Sequence, residues 1–332
     1  MQVVSAGTTL DNVLVTHQSP AAHRHDAHQG AGHHEEPAEW ADQLRVLERD
    51  GQIGEPWLAA AIDWLAGLTP APVRRLVDIG AGPGVAATLF AEALPHAEVV
   101  AFDPSPVLLE RAQQRARERG LLNRFHVKHG SVGADLAGLE RADLLWCSRV
   151  LHHLPDPGEG IAQLAQVLTD DGLLAIAEGG LPMRFLPGGY GVAHAGFVSR
   201  LDAALADFAQ EKWEMTDAAV GGDRDWPLVI ADAGLEHLVS RTFVLDLPAP
   251  LDGAVRDYVV DRFAELPEKI GARLDETDAR ALSRLNDPSD PAALVNRPDL
   301  FLLTAYTVHV GRRRSAPEGR TRAGRGYSRR DD

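Results

Sequence analysis

Cysteine is almost absent from the sequence, since Cys147 is the only one among 332 residues. A single thiol cannot form an intrachain disulfide or a cysteine-rich zinc site, and this scarcity is typical of a reducing cytoplasm. No apolar run reaches the ~18 to 20 residues needed to cross a bilayer. The first residues, MQVVSAGTTLDNVLV, also lack the basic start and apolar centre of a secretion signal. These absences predict a cytoplasmic protein with no membrane partner.

Positive charge is also in short supply, because 33 Lys and Arg face 48 Asp and Glu, giving a formal net charge of −15. An acidic protein repels polyanions and has no electrostatic footprint for nucleic acid. Basic residues concentrate in 311–332, which we expect to be a disordered Arg-rich tail. A His-rich leader, 1–36, is expected to be disordered as well. Its histidines have no fixed spacing, so we predict no metal site there.

Strand and helix patterns alternate within the predicted domain, 37–310. Short β-rich runs such as RRLVDIG, AEVVAFD and GLLAIAEG are separated by helical stretches from Arg74 onward. This alternation indicates βαβ crossovers, and near-continuous apolar strands need both sheet faces covered. The sequence therefore predicts an α/β fold with a doubly wound, mostly parallel sheet. Ahead of it we expect two helices with Gly51 and Gly54 between them.

The alternation of strand and helix patterns ends in the second half of the chain. Apolar runs at 236–247 and 300–310 predict two more strands. Helical insertions are expected at about 183–220 and 251–297. Insertions beyond the carboxyl edge of such a sheet usually cover the ligand crevice, so these segments are predicted to cap the acceptor.

A glycine-rich loop follows the first strand. The segment LVDIGAGPG places Asp78 at the strand end and Gly80, Gly82 and Gly84 in a tight turn into a helix. Glycines permit the sharp turn and the close approach of a ligand. A dinucleotide fingerprint would need its third glycine at Val85, and a carboxylate before the loop would repel a pyrophosphate. The loop thus favours a ligand with a cationic amino group.

The second strand, AEVVAFD, ends on Asp103. A carboxylate at this position can accept hydrogen bonds from both hydroxyls of a ribose. Asp103 equally suits a helix cap ahead of PVLLERA, since Asp followed by Pro is common at helix starts. The two roles are compatible, and the upstream loop favours ribose binding.

Taken together, the motifs LVDIGAGPG, VVAFDPS, FHVKHGSV, ADLLWCSRVLHHLPDP and DGLLAIAE resemble those of bacterial class I S-adenosylmethionine (SAM) methyltransferases. The resemblance covers roughly 40–182. It implies a seven-stranded, Rossmann-like sheet with an antiparallel last strand. It also implies SAM as the cofactor, with its methionine moiety at Asp78 and the glycine loop and its ribose at Asp103. The residues implied at the adenine and the cofactor floor are Gly130, Ser131, Val132, Cys147 and Ser148.

Two histidines follow the fourth strand in SRVLHHLPDP. The segment resembles one in quinone-biosynthesis methyltransferases, and more distantly one in small-molecule O-methyltransferases, where His152 falls on the catalytic base. Transfer to an alcohol or phenol benefits from such a base, whereas an amine needs only its neutral form. His152 and His153 are thus the catalytic candidates, although either equally suits capping, packing or contact with SAM. Cys147 and Ser148 supply no carboxylate for a metal, so no catalytic metal is predicted.

The acceptor is predicted to be a small molecule methylated on O or N. Nucleic-acid methyltransferases carry an Asn/Asp-Pro-Pro-aromatic loop that stacks a flipped base, and CSRVLHH lacks it. An NAD-dependent oxidoreductase, a non-catalytic SAM-binding protein and a basic peptide acceptor stay open as alternatives, as does a homodimer. The stretch GGYGVAHAG has the composition of a lid hinge. Candidate pocket residues in the insertions are His194, Trp213, Trp226, Tyr258 and Arg262.

Overall fold

The computed structural model describes residues 37–188, 191–213 and 224–314, with side chains from Leu44 onward. The predicted leader, most of the Arg-rich tail, the second and third residues of the GGYGVAHAG stretch and the side chain of Trp213 lie outside the described residues. The described part contains a seven-stranded sheet. Its strands are β1 Arg75–Ile79, β2 Glu98–Asp103, β3 Phe125–His129, β4 Ala142–Ser148, β5 Leu168–Arg184, β6 Glu236–Leu247 and β7 Leu302–Arg312.

The strand order is β3-β2-β1-β4-β5-β7-β6. Strands β1 to β5 pair in parallel, and β7 runs antiparallel to both of its neighbours, β5 and β6. The predicted doubly wound, mostly parallel sheet with an antiparallel last strand is therefore confirmed. A dinucleotide-binding sheet would instead follow the order 3-2-1-4-5-6.

Helices pack on both faces of the sheet, because its strands bury side chains on both. Leu76 of β1 belongs to one core layer, whereas Val77 and Ile79 belong to the other. The first layer includes α2 Glu55–Ala66, α3 Val85–Ala93, α4 Pro106–Glu118, α6 Phe197–Trp213, α8 Gly253–Ala264, α9 Leu266–Ile270 and α10 Glu276–Asn286. The second layer includes α5 Pro157–Val167 and α7 Trp226–Asp232. None of the described helices is both long and apolar enough to span a bilayer.

The ligand crevice of this topology lies at the carboxyl ends of β1 and β4. The helices α3 and α4, which follow β1 and β2, pack on one face, whereas α5, which follows β4, packs on the other. The connections therefore diverge between β1 and β4, and this divergence opens a crevice at the carboxyl edge of the sheet. Every predicted cofactor residue follows or ends one of the strands β1 to β4.

The helix α1, Pro37–Ile53, is longer than the sequence pattern indicated. It includes Gly51, so the prediction that both Gly51 and Gly54 separate the first two helices is wrong for Gly51. A side chain at Gly51 would place its Cβ 2.7 Å from Val85 Cγ2. Glycine is required there by the close contact between α1 and the start of α3 rather than by a turn.

The first insertion also differs in detail from its prediction. Strand β5 extends to Arg184, because its last residues pair with the start of β7, as in Gly180 with Tyr306. The first helix beyond it is α6, which begins at Phe197. The pattern GLLAIAEG marked only the apolar, fully buried part of the strand.

Candidate active site

The three glycines of the loop have different structural roles. Gly80, Gly82 and Gly84 all adopt left-handed backbone conformations, with φ of 66°, 53° and 76°. A Cβ at Gly80 would overlap the Val150 side chain, and one at Gly84 would lie 2.6 Å from Ala112 Cβ in α4. A Cβ at Gly82 would meet nothing within 4 Å. Gly80 and Gly84 thus allow close packing, whereas Gly82 faces open space through which a ligand can approach the backbone.

Asp78 is a buried carboxylate at the end of β1. It accepts a hydrogen bond from the Ala87 N–H in the first turn of α3, whose N-cap, Gly84, has no side chain to do so. Its Oδ2 atom has no hydrogen-bond partner among the described residues. Burial, and secondly the nearby Asp103, raise the pKa of Asp78 well above its usual value. A ligand ammonium group beside Oδ2 would relieve both effects.

Asp103 ties the glycine loop to the start of α4. Its Oδ2 atom accepts the Gly82 N–H at 2.8 Å, and its Oδ1 atom accepts the Ser105 N–H at 2.8 Å. Ser105 in turn caps α4 by accepting the Leu108 N–H. Burial raises the pKa of Asp103, and the two backbone hydrogen bonds oppose this effect. Each carboxylate oxygen retains a second lone pair, so the structural role leaves room for the predicted ribose contact.

The loop after β3 holds the predicted adenine residues. A Cβ at Gly130 would lie 2.7 Å from Asp135 Cβ, so the loop folds back tightly on itself. The N–H and the hydroxyl of Ser131 both donate to Asp135 Oδ2, at 2.9 and 3.3 Å. Val132 is half-buried against the second core layer. The loop is ordered by its own contacts, and its binding of adenine stays a prediction.

The end of β4 separates a core residue from an accessible one. Cys147 is fully buried, and its burial raises the pKa of the thiol well above the usual value. Ser148, the last residue of β4, is half-buried and lies beside Ala177 of β5. Ser148 can therefore border a ligand, whereas Cys147 packs in the core and can only support the strand.

His152 forms a hydrogen-bonded pair with a buried carboxylate. Its Nδ1 atom lies 2.9 Å from Glu178 Oε2, and the Glu178 Oε1 atom accepts the N–H groups of Val150 and Leu151 at 2.9 and 3.0 Å. Glu178 is only 5% exposed, whereas His152 is half-buried. A carboxylate at Nδ1 holds a proton on that atom, so the Nε2 atom is the acceptor of the neutral ring. This is the geometry of an oriented general base.

His153 has a different environment. The two histidines lie in a 3-10 turn, Leu151–His153, rather than at a helix start, because α5 begins only at Pro157. The ring centroids of His152 and His153 are 4.0 Å apart. Partial burial, and secondly the neighbouring His152, lower the pKa of His153 to about 4. The lowered pKa makes the exposed ring of His153 a weaker proton acceptor than an ordinary imidazole.

The structure separates the candidate pocket residues of the insertions. Tyr258 and Arg262 of α8 face the Asp50 carboxylate of α1. Trp226 is buried in the core on the opposite face of the sheet, and His194 lies near Asp278 of α10. Of the four candidates whose side chains the structure describes, Tyr258 and Arg262 are therefore the two that come together.

Four residues of this region were missed by the sequence reasoning. Glu178 carried a usable signal, since it follows the apolar run of β5 directly, as Asp103 follows the apolar run of β2. Asp50, Arg149 and Tyr306 carried none, because they come from distant segments that only the fold brings together. The four missed residues are Asp50, Arg149, Glu178 and Tyr306.

Comparison with known proteins identifies the central part of the chain. Residues 77–174 match the family model described as a methyltransferase domain. This segment resembles a methyltransferase domain. It runs from β1 to β5 and contains all the predicted cofactor residues and both histidines, so the resemblance seen in the sequence motifs is confirmed for this domain.

Curated relatives align over the same part of the chain. Malonyl-[acyl-carrier protein] O-methyltransferase from Laribacter hongkongensis is 33% identical over 108 residues, covering 31% of this chain and 36% of the relative. Trans-aconitate 2-methyltransferase from Methylobacterium radiotolerans is 34% identical over 104 residues, covering 31% and 37%. The alignments thus span little more than a third of each relative.

A solved structure shows that the likeness of fold extends further. A protein from Bacillus halodurans, assigned only provisionally as a methyltransferase, superimposes with a TM-score of 0.50 at 16% identity. The superposition covers 77% of this chain and 100% of that protein. At this identity the comparison supports the methyltransferase-like fold alone.

Proposed function

We propose that the protein is a SAM-dependent methyltransferase that methylates an oxygen atom of a small-molecule acceptor, with His152 as the general base. The observation that carries this proposal is the His152–Glu178 pair at the carboxyl edge of a methyltransferase domain. An amine acceptor would need no oriented base, whereas a hydroxyl group benefits from one. The name of one relative, a methyltransferase of trans-aconitate, agrees with a small acceptor, and that of the other, an O-methyltransferase, agrees with transfer to oxygen.

The residues at the crevice fit SAM. The unpartnered Oδ2 atom of Asp78 suits the ammonium group of the methionine moiety. The open space beside Gly82 suits close approach of the ligand, and Asp103 retains lone pairs for the ribose hydroxyls. Ser131, Val132 and Ser148 would border the rest of the molecule.

The chemistry divides between cofactor and protein. SAM, when bound, supplies an electrophilic methyl group on a sulfonium, so the protein has to align the acceptor and remove its proton. The Nε2 atom of His152 would accept the proton of the acceptor hydroxyl as the new O–C bond forms. Glu178 would hold the Nδ1 proton in place and stabilise the positive charge that develops on the ring. The Val150 and Leu151 N–H groups fix Glu178 for this role.

The test is methyl transfer from SAM into separate pools of phenols, alcohols, carboxylic acids and amines, measured as formation of S-adenosylhomocysteine above the acceptor-free rate. The proposal predicts turnover with an oxygen acceptor that is lost in His152→Gln. Turnover with amines only would contradict O-methylation. Tight binding of S-adenosylhomocysteine without turnover in any pool would favour a non-catalytic SAM-binding protein.

A further inference from the structure

Two arginines from distant segments face one carboxylate beside the glycine loop. Arg149 directly follows β4, and Arg262 lies on α8. The Nη1 atoms of Arg149 and Arg262 lie 3.5 and 3.9 Å from Asp50 Oδ2. Arg149 also has a φ of +55°, a left-handed backbone that is uncommon for arginine and costs free energy. Strain of this kind tends to persist where a side chain must point in a particular direction for function.

Neither guanidinium is held tightly. Charge-assisted hydrogen bonds have N···O distances of about 2.7–2.9 Å, and both contacts with Asp50 are longer. The side chains of Arg149 and Arg262 are 49% and 43% exposed, whereas that of Asp50 is 10% exposed. Asp50 Oδ1 has no hydrogen-bond partner among the described residues. Two guanidinium groups thus share one carboxylate, and both have N–H groups that can donate further hydrogen bonds.

The cluster carries an excess positive charge. Two guanidinium groups face a single carboxylate, and the acidic residues nearest to them on α8 and after it are engaged with other cations. Asp261 pairs with Arg49 at 2.5 Å, and Glu265 pairs with Lys269 at 2.5 Å. Among the described side chains, Asp50 is the one carboxylate within 4 Å of either arginine, and the more distant Glu265 adds a weaker attraction to Arg262.

Aromatic side chains border the same cluster. Tyr306 of β7 stacks on Trp57 of α2, with ring centroids 4.2 Å apart and an interplanar angle of 16°. Tyr258 of α8 interacts with Asp50, and the guanidinium of Arg262 lies 5.9 Å from its ring centroid. Burial raises the pKa of Tyr258 and of Tyr306, so both hydroxyls are neutral donors at physiological pH. Cations beside an aromatic wall suit an organic anion better than a bare inorganic ion.

The cluster adjoins the cofactor loop on two sides. Arg149 precedes Val150, whose side chain lies against Gly80. Asp50 precedes Gly51, which packs against Val85 at the start of α3. A group held by Arg149 would therefore lie close to the loop and to the turn that carries His152. Arg262, in contrast, comes from the insertion between β6 and β7, outside the matched domain 77–174.

We propose that Arg149 and Arg262 bind a carboxylate of the acceptor, so that the acceptor is a small organic acid. This inference rests on the proposed function, since it names the substrate class of the same site. The incoming carboxylate would accept hydrogen bonds from both guanidinium groups, and Asp50 would keep the two arginines oriented before binding. Because Arg262 belongs to the insertion rather than to the domain shared with other methyltransferases, the acceptor is a better partner for it than the cofactor.

The test compares acids with their neutral amides. Benzoate, 4-hydroxybenzoate and succinate are titrated by calorimetry into protein saturated with S-adenosylhomocysteine, each beside its amide. At least one acid is expected to bind 10-fold or more tightly than its amide, since a carboxylate forms charge-assisted hydrogen bonds with two guanidinium groups and a neutral amide does not. The preference should disappear in Arg149→Gln and in Arg262→Gln. The control is Arg280→Gln on α10, whose pairing with Glu276 is exposed.

Two results would overturn the proposal. One is equal binding of acids and amides, or no binding of any acid at about 10 mM. The other is a loss of affinity for S-adenosylhomocysteine in the arginine variants, with unchanged affinity for 5′-methylthioadenosine. Because 5′-methylthioadenosine lacks the amino-acid part, this result would mean that the arginines hold the cofactor's own carboxylate. If the wild type binds neither nucleoside, the proposed function fails, and the acid and amide titrations on the ligand-free protein still decide whether the arginines bind carboxylates.

Discussion

The Nδ1 atom of His152 lies 2.9 Å from Glu178 Oε2, and this contact joins the turn after β4 to the middle of β5. The second oxygen of Glu178 is engaged by the Val150 and Leu151 N–H groups. One buried carboxylate therefore fixes both the backbone of the turn and the orientation of the imidazole ring. This arrangement makes the two roles of Glu178 separable by substitution.

Glu178→Gln is expected to preserve the fold and lower kcat by about 10²-fold or more, with KM nearly unchanged. The glutamine carbonyl oxygen can still accept the Val150 and Leu151 N–H groups, whereas its amide group would donate to His152 Nδ1. The ring would then carry its proton on Nε2 and could not act as a base. Steady-state kinetics over a range of pH give kcat and KM of the variant, and circular dichroism checks that it is folded. A rise in KM alone would show that Glu178 serves binding rather than catalysis.

The two adjacent histidines are expected to respond differently to substitution. His152→Gln should lower kcat by about 10²- to 10⁴-fold, the usual contribution of a general base. His153→Gln should change kcat by less than about 10-fold, because a ring whose pKa is lowered to about 4 is a weak proton acceptor. The pH–rate profiles of the two variants compare them directly. Equal losses would mean that the pair acts as one structural unit.

Asp78→Asn is expected to abolish binding of S-adenosylhomocysteine while leaving the ligand-free protein at least as stable as the wild type at pH 7.5. Burial raises the pKa of Asp78 in the folded state, so ionising this carboxyl group destabilises the fold. The stability that the protonated group preserves is fully present below the unfolded pKa, near 3.8. That stability is lost as the pH rises through the folded pKa. Asparagine does not ionise, so the free energy of unfolding of the variant should exceed that of the wild type by ~1 kcal/mol at neutral pH.

Thermal unfolding at pH 4 and at pH 7.5 tests this expectation. The difference in stability between Asp78→Asn and the wild type should grow with pH. In the wild type, binding of the ammonium ligand should release protons below the raised pKa, with a number that declines as the pH rises. A variant that unfolds much more easily at pH 7.5 would show that Asp78 serves mainly as the cap of α3.

Gly82→Ala should weaken binding of S-adenosylhomocysteine by 10-fold or more, because its Cβ would occupy the open space beside the loop. Gly120→Ala is the matched control, since Gly120 also has a positive φ, of 69°, and a Cβ there would meet nothing within 4 Å. Both substitutions carry a similar backbone cost of ~1 kcal/mol. Calorimetry and thermal unfolding should show equal losses of stability and a loss of affinity only at Gly82. Equal affinities would mean that the ligand does not approach Gly82.

The sequence was sufficient to predict the sheet and to place the proposed cofactor residues along one edge of it. Those residues lie at strand ends that local patterns mark, as LVDIGAGPG marks Asp78 and the glycine loop. The loop glycines could not be distinguished from sequence, because only the packing of Val150 and Ala112 shows which of them face a neighbour. The contact between Gly51 and Val85 also belongs to tertiary structure, so the sequence does not show that Gly51 lies within a helix.

The acceptor side could not be predicted in the same way. Asp50, Arg149, Arg262 and Tyr306 come from α1, the end of β4, α8 and β7, and no short pattern links them. Tyr258 and Trp226 looked equivalent as aromatic residues of helical segments, yet they lie on opposite faces of the sheet. Which face a helix of an insertion covers depends on the path of the chain, and local periodicity does not carry that information.

The central claim is that the crevice binds SAM, and calorimetric titration of the wild type with S-adenosylhomocysteine and with NAD tests it most directly. The same titration of Asp103→Asn examines the whole role of this carboxylate, since an amide group in place of Oδ2 can accept neither the Gly82 N–H nor a ribose hydroxyl. We predict micromolar binding of S-adenosylhomocysteine, a loss of affinity of at least 10-fold in Asp103→Asn, and no binding of NAD. Tight binding of NAD, or no binding of S-adenosylhomocysteine, would contradict the account.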